Sequence, residues 1–499
     1  MLSKASEMLV YINEVTHKTL PHVAPGRSFS QISTSNVDAL RSFLSGEAAW
    51  KKLDAQKANA GFLSAVELDS NFSLAHLKLA EIALFNVDST LAAERITQAQ
   101  QNQERLIRYD LLRLKALEAR IHRQPMEERE YLRQLIEAFP LSREYRYEFA
   151  ESYFHCGDGE EAIKHYQEAL RLDPDYALAH NHIAFCYAWI GDHPKAGGHF
   201  ARYISLDQTP NSYDSQACGF MFSGQYNMAI AALQRGLQIN PTVDYIHGRM
   251  ATTLMLTGEL SKAALSWEEQ IRLASNQINK VNARFNLAFL EFLRNRLPET
   301  AKHLEEARKY YQAPQYQDPL EEYPNLPYWF QGVMAAEKGD MKPLQASIDV
   351  LEKRIQKHLV NATNYFPLLK FSLHLKMLKA ALQRDSEALQ RLVEEGLRIK
   401  NRMGYWYSMF DQAFFLEEYA RLLVQQHNNA RALSLLDEAL AYNPGHAGAL
   451  IRKSSLLAQA NRQEEARSLL TQARKQLANA DPDYRLSLEL KKLTRLLGD

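Results

Sequence analysis

Cysteine is scarce in this chain: Cys156, Cys186 and Cys218 are the only three in 499 residues. An odd, sparse set gives no disulfide framework and points to a reducing, cytoplasmic compartment. Glycine (20) and proline (17) are few as well. That shortage of breakers, with much Ala, Leu, Glu and Arg, argues for a nearly all-helical chain. Neither charge is in excess, with 59 basic against 59 acidic residues, so nothing electrostatic calls for nucleic acid or an anionic membrane as partner. No apolar run approaches the roughly 18 residues of a membrane-spanning helix. Met1 to Glu7 lacks the basic-then-apolar profile of a signal peptide. Catalytic signatures are missing too: there is no glycine-rich phosphate loop, nucleophile elbow or His-Glu-x-x-His string. The expectation is a protein that is not an enzyme and uses no cofactor.

What is present is a repeat. Ala150, Tyr153, Ala162, Tyr166 and Ala169 recur as Ala184, Tyr187, Ala196, Phe200 and Tyr203, then as Ala217, Phe220, Ala229 and Leu233. The shift is about 34 residues. Small residues at fixed places let two helices of a hairpin, and the next hairpin, approach closely. Pro140, Pro174, Pro241 and Pro444 close second helices, while Gly157, Gly191, Gly224, Gly258 and Gly339 mark the turn inside a hairpin. Aligning the small residue at repeat position 8 sets unit starts at 39, 73, 109, 143, 177, 210, 244, 281, 325, 369, 413 and 447. The expected organisation is an N-terminal helix and linker over 1–35 and a regular array over 36–280. Units spaced by 44 residues follow over 281–412, then a pair over 413–480 and a capping helix over 481–499. Within the first segment Glu7 to Leu20 reads as an amphipathic helix, and Tyr311 to Pro324 reads as an inserted loop.

This pattern resembles the tetratricopeptide repeat family over residues 39–476. The resemblance implies an all-α fold, a right-handed α-solenoid superhelix of about twelve helix hairpins whose first helices line the concave face. It also implies a protein or peptide partner. A second resemblance is narrower: Thr34 to Gly46 is similar to the entry of the repeat region in bacterial multidomain signalling proteins. Those proteins carry a Ser/Thr kinase, cyclase or winged-helix domain ahead of the repeats. No such domain sequence is present here, which leaves a piece of a longer chain or a stand-alone relative. An extracytoplasmic position would require a membrane-anchored domain upstream.

The concave face is expected at repeat positions 2, 5, 9, 12 and 13. The candidate peptide-binding groove is Tyr147, Glu151, Phe154, Asn181, Phe185, Trp189, Asp214, Phe222, Phe285, Phe289 and Trp329. The aromatic members would be anchors, and Asn181, Glu151 and Asp214 would orient the segment bound. The same aromatics can instead be core between adjacent first helices; both readings stand on the sequence. A carboxylate clamp for peptide C-termini needs cations beside Asn181, and the neighbouring units supply no lysine at the equivalent places. His180 and His182 lie two apart on a helix, so they point to different sides and do not suggest a metal centre. The preferred function is a protein-interaction scaffold in bacterial signalling or regulation. The alternative is a small-molecule-sensing array in a transcription or kinase regulator.

Overall fold

A computed structural model describes residues 34–50, 55–85, 88–122, 124–274, 277–311, 325–358, 366–399 and 412–498. The expected helix Glu7–Leu20 lies outside the described residues, as does the expected loop Tyr311–Pro324 except for Tyr311, which ends a helix. Among those described there are twenty-five α-helices and no strand. They run as α1 Val37–Trp50, α2 Ala55–Leu68, α3 Ser73–Phe85, α4 Ser89–Gln101, α5 Arg108–Ile121, α6 Pro125–Ala138 and α7 Arg143–Phe154. Next come α8 Gly159–Leu172, α9 Ala177–Trp189, α10 His193–Leu206, α11 Pro210–Phe222, α12 Tyr226–Ile239, α13 Asp244–Leu256 and α14 Leu260–Leu273. Then follow α15 Gln277–Leu293, α16 Leu297–Tyr311, α17 Leu326–Glu337, α18 Met341–His358, α19 Phe366–Leu382 and α20 Ser386–Ile399. The last are α21 Gln412–Gln425, α22 Asn429–Tyr442, α23 Ala447–Gln459, α24 Gln463–Gln476 and α25 Arg485–Leu497. This is an all-α solenoid of consecutive helix pairs followed by one more helix.

The small residues explain the pairing. Ala58, Ala65, Ala92, Ala99, Ala162, Ala169, Ala432, Ala439, Ala466 and Ala473 are all at 0% exposure. These positions face helix contacts, where a larger side chain would hold the backbones apart. Side chains also set the helix starts: Asp88, Asp158, Asp192 and Asn428 each accept a backbone N–H of the first turn. Gly157, Gly191, Gly224, Gly258 and Gly339 all have φ between 70° and 80° at the hairpin turn. The left-handed conformation there costs glycine nothing and other residues appreciably. Four further hairpins put Asn295, Arg384, His427 and Asn461 in the same conformation.

The chain divides into two compact units, up to Ser152 and from Tyr153. In the first unit Phe43, Phe62 and Phe72 centre one core, and Leu77, Ile96, Leu114 and Leu117 a second. In the second unit one core runs from Ala217 to Leu497. Helices are longest in its middle, with 17 residues in α15 and α19 and 18 in α18.

The second unit closes on itself. His193, in the fifth hairpin, lies 2.9 Å from the carbonyl of Tyr442 in the eleventh. Gly224, in the sixth, faces Gly445 between the eleventh and twelfth, and Gln476 Nε2 donates to the Gly224 carbonyl at 3.1 Å. Tyr226 donates to Asn443 Oδ1 at 3.3 Å. Gly258, in the seventh, accepts at 2.8 Å from the amide of Asp481, beyond the twelfth. The contacts step by about six hairpins each time, so successive superhelical turns of this unit touch along a seam.

Candidate functional site

Closure creates a partly open cavity of about 370 Å³ inside the second unit. Its apolar wall comes from first helices of successive hairpins: Met255 and Leu256 of α13, Phe289 and Phe292 of α15, and Trp329 and Val333 of α17. Leu378 of α19 and Phe414 and Leu422 of α21 continue it. Tyr484 and Leu486, at the start of α25, line it as well. The rings form a connected belt. Phe292 and Phe289 meet Phe330 at 5.0 and 5.9 Å between centroids. Trp329 meets Phe371 at 5.3 Å, and Phe371 meets Phe415 at 6.2 Å.

A polar stretch of wall, from α17, α19, α21, α23 and α25, completes the lining, and its charged groups are paired. Trp329 Nε1–H donates to His374 Nδ1 at 3.0 Å. Nδ1 thus accepts a hydrogen bond, and Nε2 of the same ring lies 3.3 Å from Glu418 Oε2. Glu418 also accepts from Arg421 Nε and Nη2, the latter at 2.8 Å. Burial alone would raise its carboxyl, but the Arg421 guanidinium and the His374 hydrogen bond hold it well below the usual carboxylate range. Arg452 pairs with Glu417, and Arg485 lies 3.3 Å from Glu337 and 3.8 Å from Glu489. Such a wall orients an occupant without leaving a naked charge beside it.

The eleven residues expected as a groove are distributed as follows. Phe289 and Trp329 line the cavity. Phe285 is fully buried and meets Phe330 at 5.8 Å. Phe154, also fully buried, stacks on Trp189 at 4.9 Å. Phe185 is buried and turns its ring edge to Phe200, on the second helix of its own hairpin. Asp214 is buried and pairs with Arg249 at 3.1 Å. Asn181 is buried with its Oδ1 unbonded among the described residues, and Phe222 is half-buried. Tyr147 (half-buried) and Glu151 (buried) belong to the first unit.

In that unit first helices carry a charged ladder. Arg113 bridges Glu81 and Glu148, at 2.6 Å each, and Lys78 reaches Glu47 and Glu81. Burial pushes the Asp110 carboxyl up to about 6, against the pull of Lys78 and Arg113 and with the help of Glu81 and Glu47.

Sequence reasoning missed His374, Glu417, Glu418, Arg421, Arg452 and Tyr484. The first five stand at positions 5, 6 or 9 of late units, so the same register extended past Trp329 would have reached Glu417 and Arg421. Tyr484 had no such signal.

Two stretches match family models: residues 150–191 a TPR repeat and residues 423–489 a tetratricopeptide repeat. Over 82 residues the chain is 34% identical to an Hsp70-Hsp90 organizing protein of Triticum aestivum, covering 16% of this chain and 14% of that one. It is 30% identical over 82 residues to Hsp70-Hsp90 organizing protein 3 of Arabidopsis thaliana, covering 16% and 15%. The chain thus spans about one-seventh of the length of these relatives. Among solved structures it is similar to PilW, a type IV pilus biogenesis factor, at 14% identity over 43% of this chain and 98% of that one, TM-score 0.35. It is also similar to YrrB, a TPR protein with an unusual peptide-binding site, at 16% identity over 37% and 94%, TM-score 0.27. The class is therefore an array of paired helices with a repeated contact pattern. The chain carries tetratricopeptide repeats over residues 150–191 and 423–489. Among the described residues no helix is long and apolar enough to cross a membrane.

Proposed function

We propose that this chain is a non-enzymatic interaction scaffold whose second unit receives an apolar anchor of a protein or peptide partner in its interior cavity. The observation that carries this reading is an apolar lining beside charges that are matched in pairs. Half-buried Phe292, Val333, Phe414 and Leu486 line the cavity, and Glu418–Arg421, Glu417–Arg452 and Glu337–Arg485 pair along the same lining. Fully burying one large apolar side chain there would contribute about 1.5–3 kcal/mol. Phe289 and Trp329 are the expected anchors that this site retains. The resemblance of Thr34–Gly46 supports a role in bacterial signalling or regulation, and three free cysteines suit the cytoplasm.

A second reading, a small apolar ligand, is favoured by the cavity's size, which sits near the lower end of the roughly 300–1,000 Å³ of small-molecule sites. One experiment addresses both. Peptides selected from a display library on the full chain, and metabolites screened by thermal shift, are retested on Val333→Trp, which fills the cavity from a half-buried position. Peptides that lose at least about tenfold in affinity support the scaffold reading, since 1.4 kcal/mol is tenfold. Selected peptides that bind Val333→Trp unchanged refute it, and metabolites alone losing affinity would favour the second reading.

A further inference from the structure

We infer that residues 477–489 form a lid over the cavity, clamped shut by Asp481; the inference rests on the cavity being the binding site. The segment is anchored at one end and clasped at the other. The far half of α25 is fixed to the last hairpin: Leu493 and Leu497 are buried, and Arg467 Nη2 donates to the Leu497 carbonyl at 3.0 Å. The near half and the turn before it reach across to the seventh, eighth and ninth hairpins instead.

The Asp481 carboxylate accepts from the Ser261 amide at 2.8 Å, the Ser261 hydroxyl at 2.6 Å and Arg294 Nη2 at 2.7 Å. It therefore caps the first turn of α14 from 220 residues away, where helix N–H groups otherwise lack a partner. Asp483 takes Arg296 at 2.7 Å, and Arg485 takes Glu337 at 3.3 Å. Tyr484 is part of the core and Ala480 and Leu486 pack against it, with Ala480 and Tyr484 beside Gly258; around them the edge is held by the polar contacts of Asp481, Asp483 and Arg485. Those polar contacts can be exchanged for water one by one, and the edge then parts at the cost of the apolar contacts of Ala480, Tyr484 and Leu486. Tyr484, Leu486 and Glu489 line the cavity, so parting exposes it directly.

The test compares the full-length protein with Asp481→Ala and, as a milder variant that spares the α14 cap, Arg296→Ala. Hydrogen exchange reads the amides of residues 484–489, and stopped-flow fluorescence reads association of the neutral apolar dye N-phenyl-1-naphthylamine. The expected result is at least a tenfold rise in exchange and at least a fivefold rise in dye association for Asp481→Ala. Arg296→Ala should show smaller rises of both, and it decides the matter if circular dichroism shows Asp481→Ala unfolded. Unchanged exchange overturns the clamp, and faster exchange with unchanged dye association overturns the lid. If no protein takes up dye, or Val333→Trp takes it up as wild type does, the cavity reading itself falls and the lid with it.

Discussion

Placing a methyl group at Gly224 tests the seam, and Gly339 provides a built-in control. Both are hairpin-turn glycines with nearly the same backbone, φ 71° and 70°. A side chain in that left-handed region costs roughly 1–2 kcal/mol for any L-residue, so Gly224→Ala and Gly339→Ala share this loss. They differ in surroundings. A Cβ on Gly339 meets nothing within 4 Å, whereas one on Gly224 falls 2.3 Å from Gly445 N and 2.5 Å from Gly445 Cα. Those neighbours are backbone and cannot rotate away, so the overlap must be relieved by parting the strands of the seam. Overpacking of this kind typically costs about 1–3 kcal/mol, or roughly 5- to 150-fold in a local opening equilibrium at 1.4 kcal/mol per decade. Hydrogen exchange at residues 442–446 and 476–484 is the assay. Gly224→Ala should accelerate exchange there, and Gly339→Ala should leave both stretches as in wild type. Equal profiles for the two variants would show that the turns do not touch in solution and would refute the reasoning.

Two further outcomes concern backbone and charge. Arg384 holds φ 57° where other hairpins have glycine; Arg384→Gly should slow local opening of the α19–α20 turn by about 1 kcal/mol, read by amide exchange, and a faster opening would contradict this. Asp110→Asn should stabilise α5 at pH 7 by about 3 kcal/mol, because a carboxyl raised to about 6 on folding is strained while ionised. The sign follows from linkage: the folded state binds this proton more tightly, so wild-type stability rises as pH falls through 6 toward the unfolded value near 3.8, and the advantage of Asn disappears there. The facing groups Glu47, Lys78, Glu81 and Arg113 are unchanged in the variant.

The hairpins were legible because each is a local event. Ala162 and Ala169 sit 34 residues before Ala196 and Tyr203, and that spacing alone places two helices and a turn. Turns with Asn295, Arg384, His427 or Asn461 were harder to read, since those residues do not announce a left-handed backbone. The aromatic side chains were ambiguous for a physical reason. Position 9 of a first helix lies between the groove and the neighbouring hairpin, and Phe185 turned toward Phe200 while Phe289 reached the cavity wall. The seam was not legible at all. Gly224, Gly445 and Asp481 look like ordinary turn residues, and their meeting depends on superhelical pitch accumulated over six hairpins. The cavity follows from that pitch, so its polar wall could be assigned only once the second unit was seen to close.

The account turns on that closure, and a single amide reports it. Ser261 is the second residue of α14, a position whose N–H has no intrahelical partner and ordinarily exchanges freely. Here it donates to Asp481 Oδ2 at 2.8 Å. Asn227, the second residue of α12, occupies the same place in its helix and is exposed. Residue-resolved hydrogen exchange of the full chain should find Ser261 protected at least tenfold more than Asn227, after correction for intrinsic rates. Equal, unprotected exchange at both would mean that the second unit is open in solution and that the cavity does not exist there.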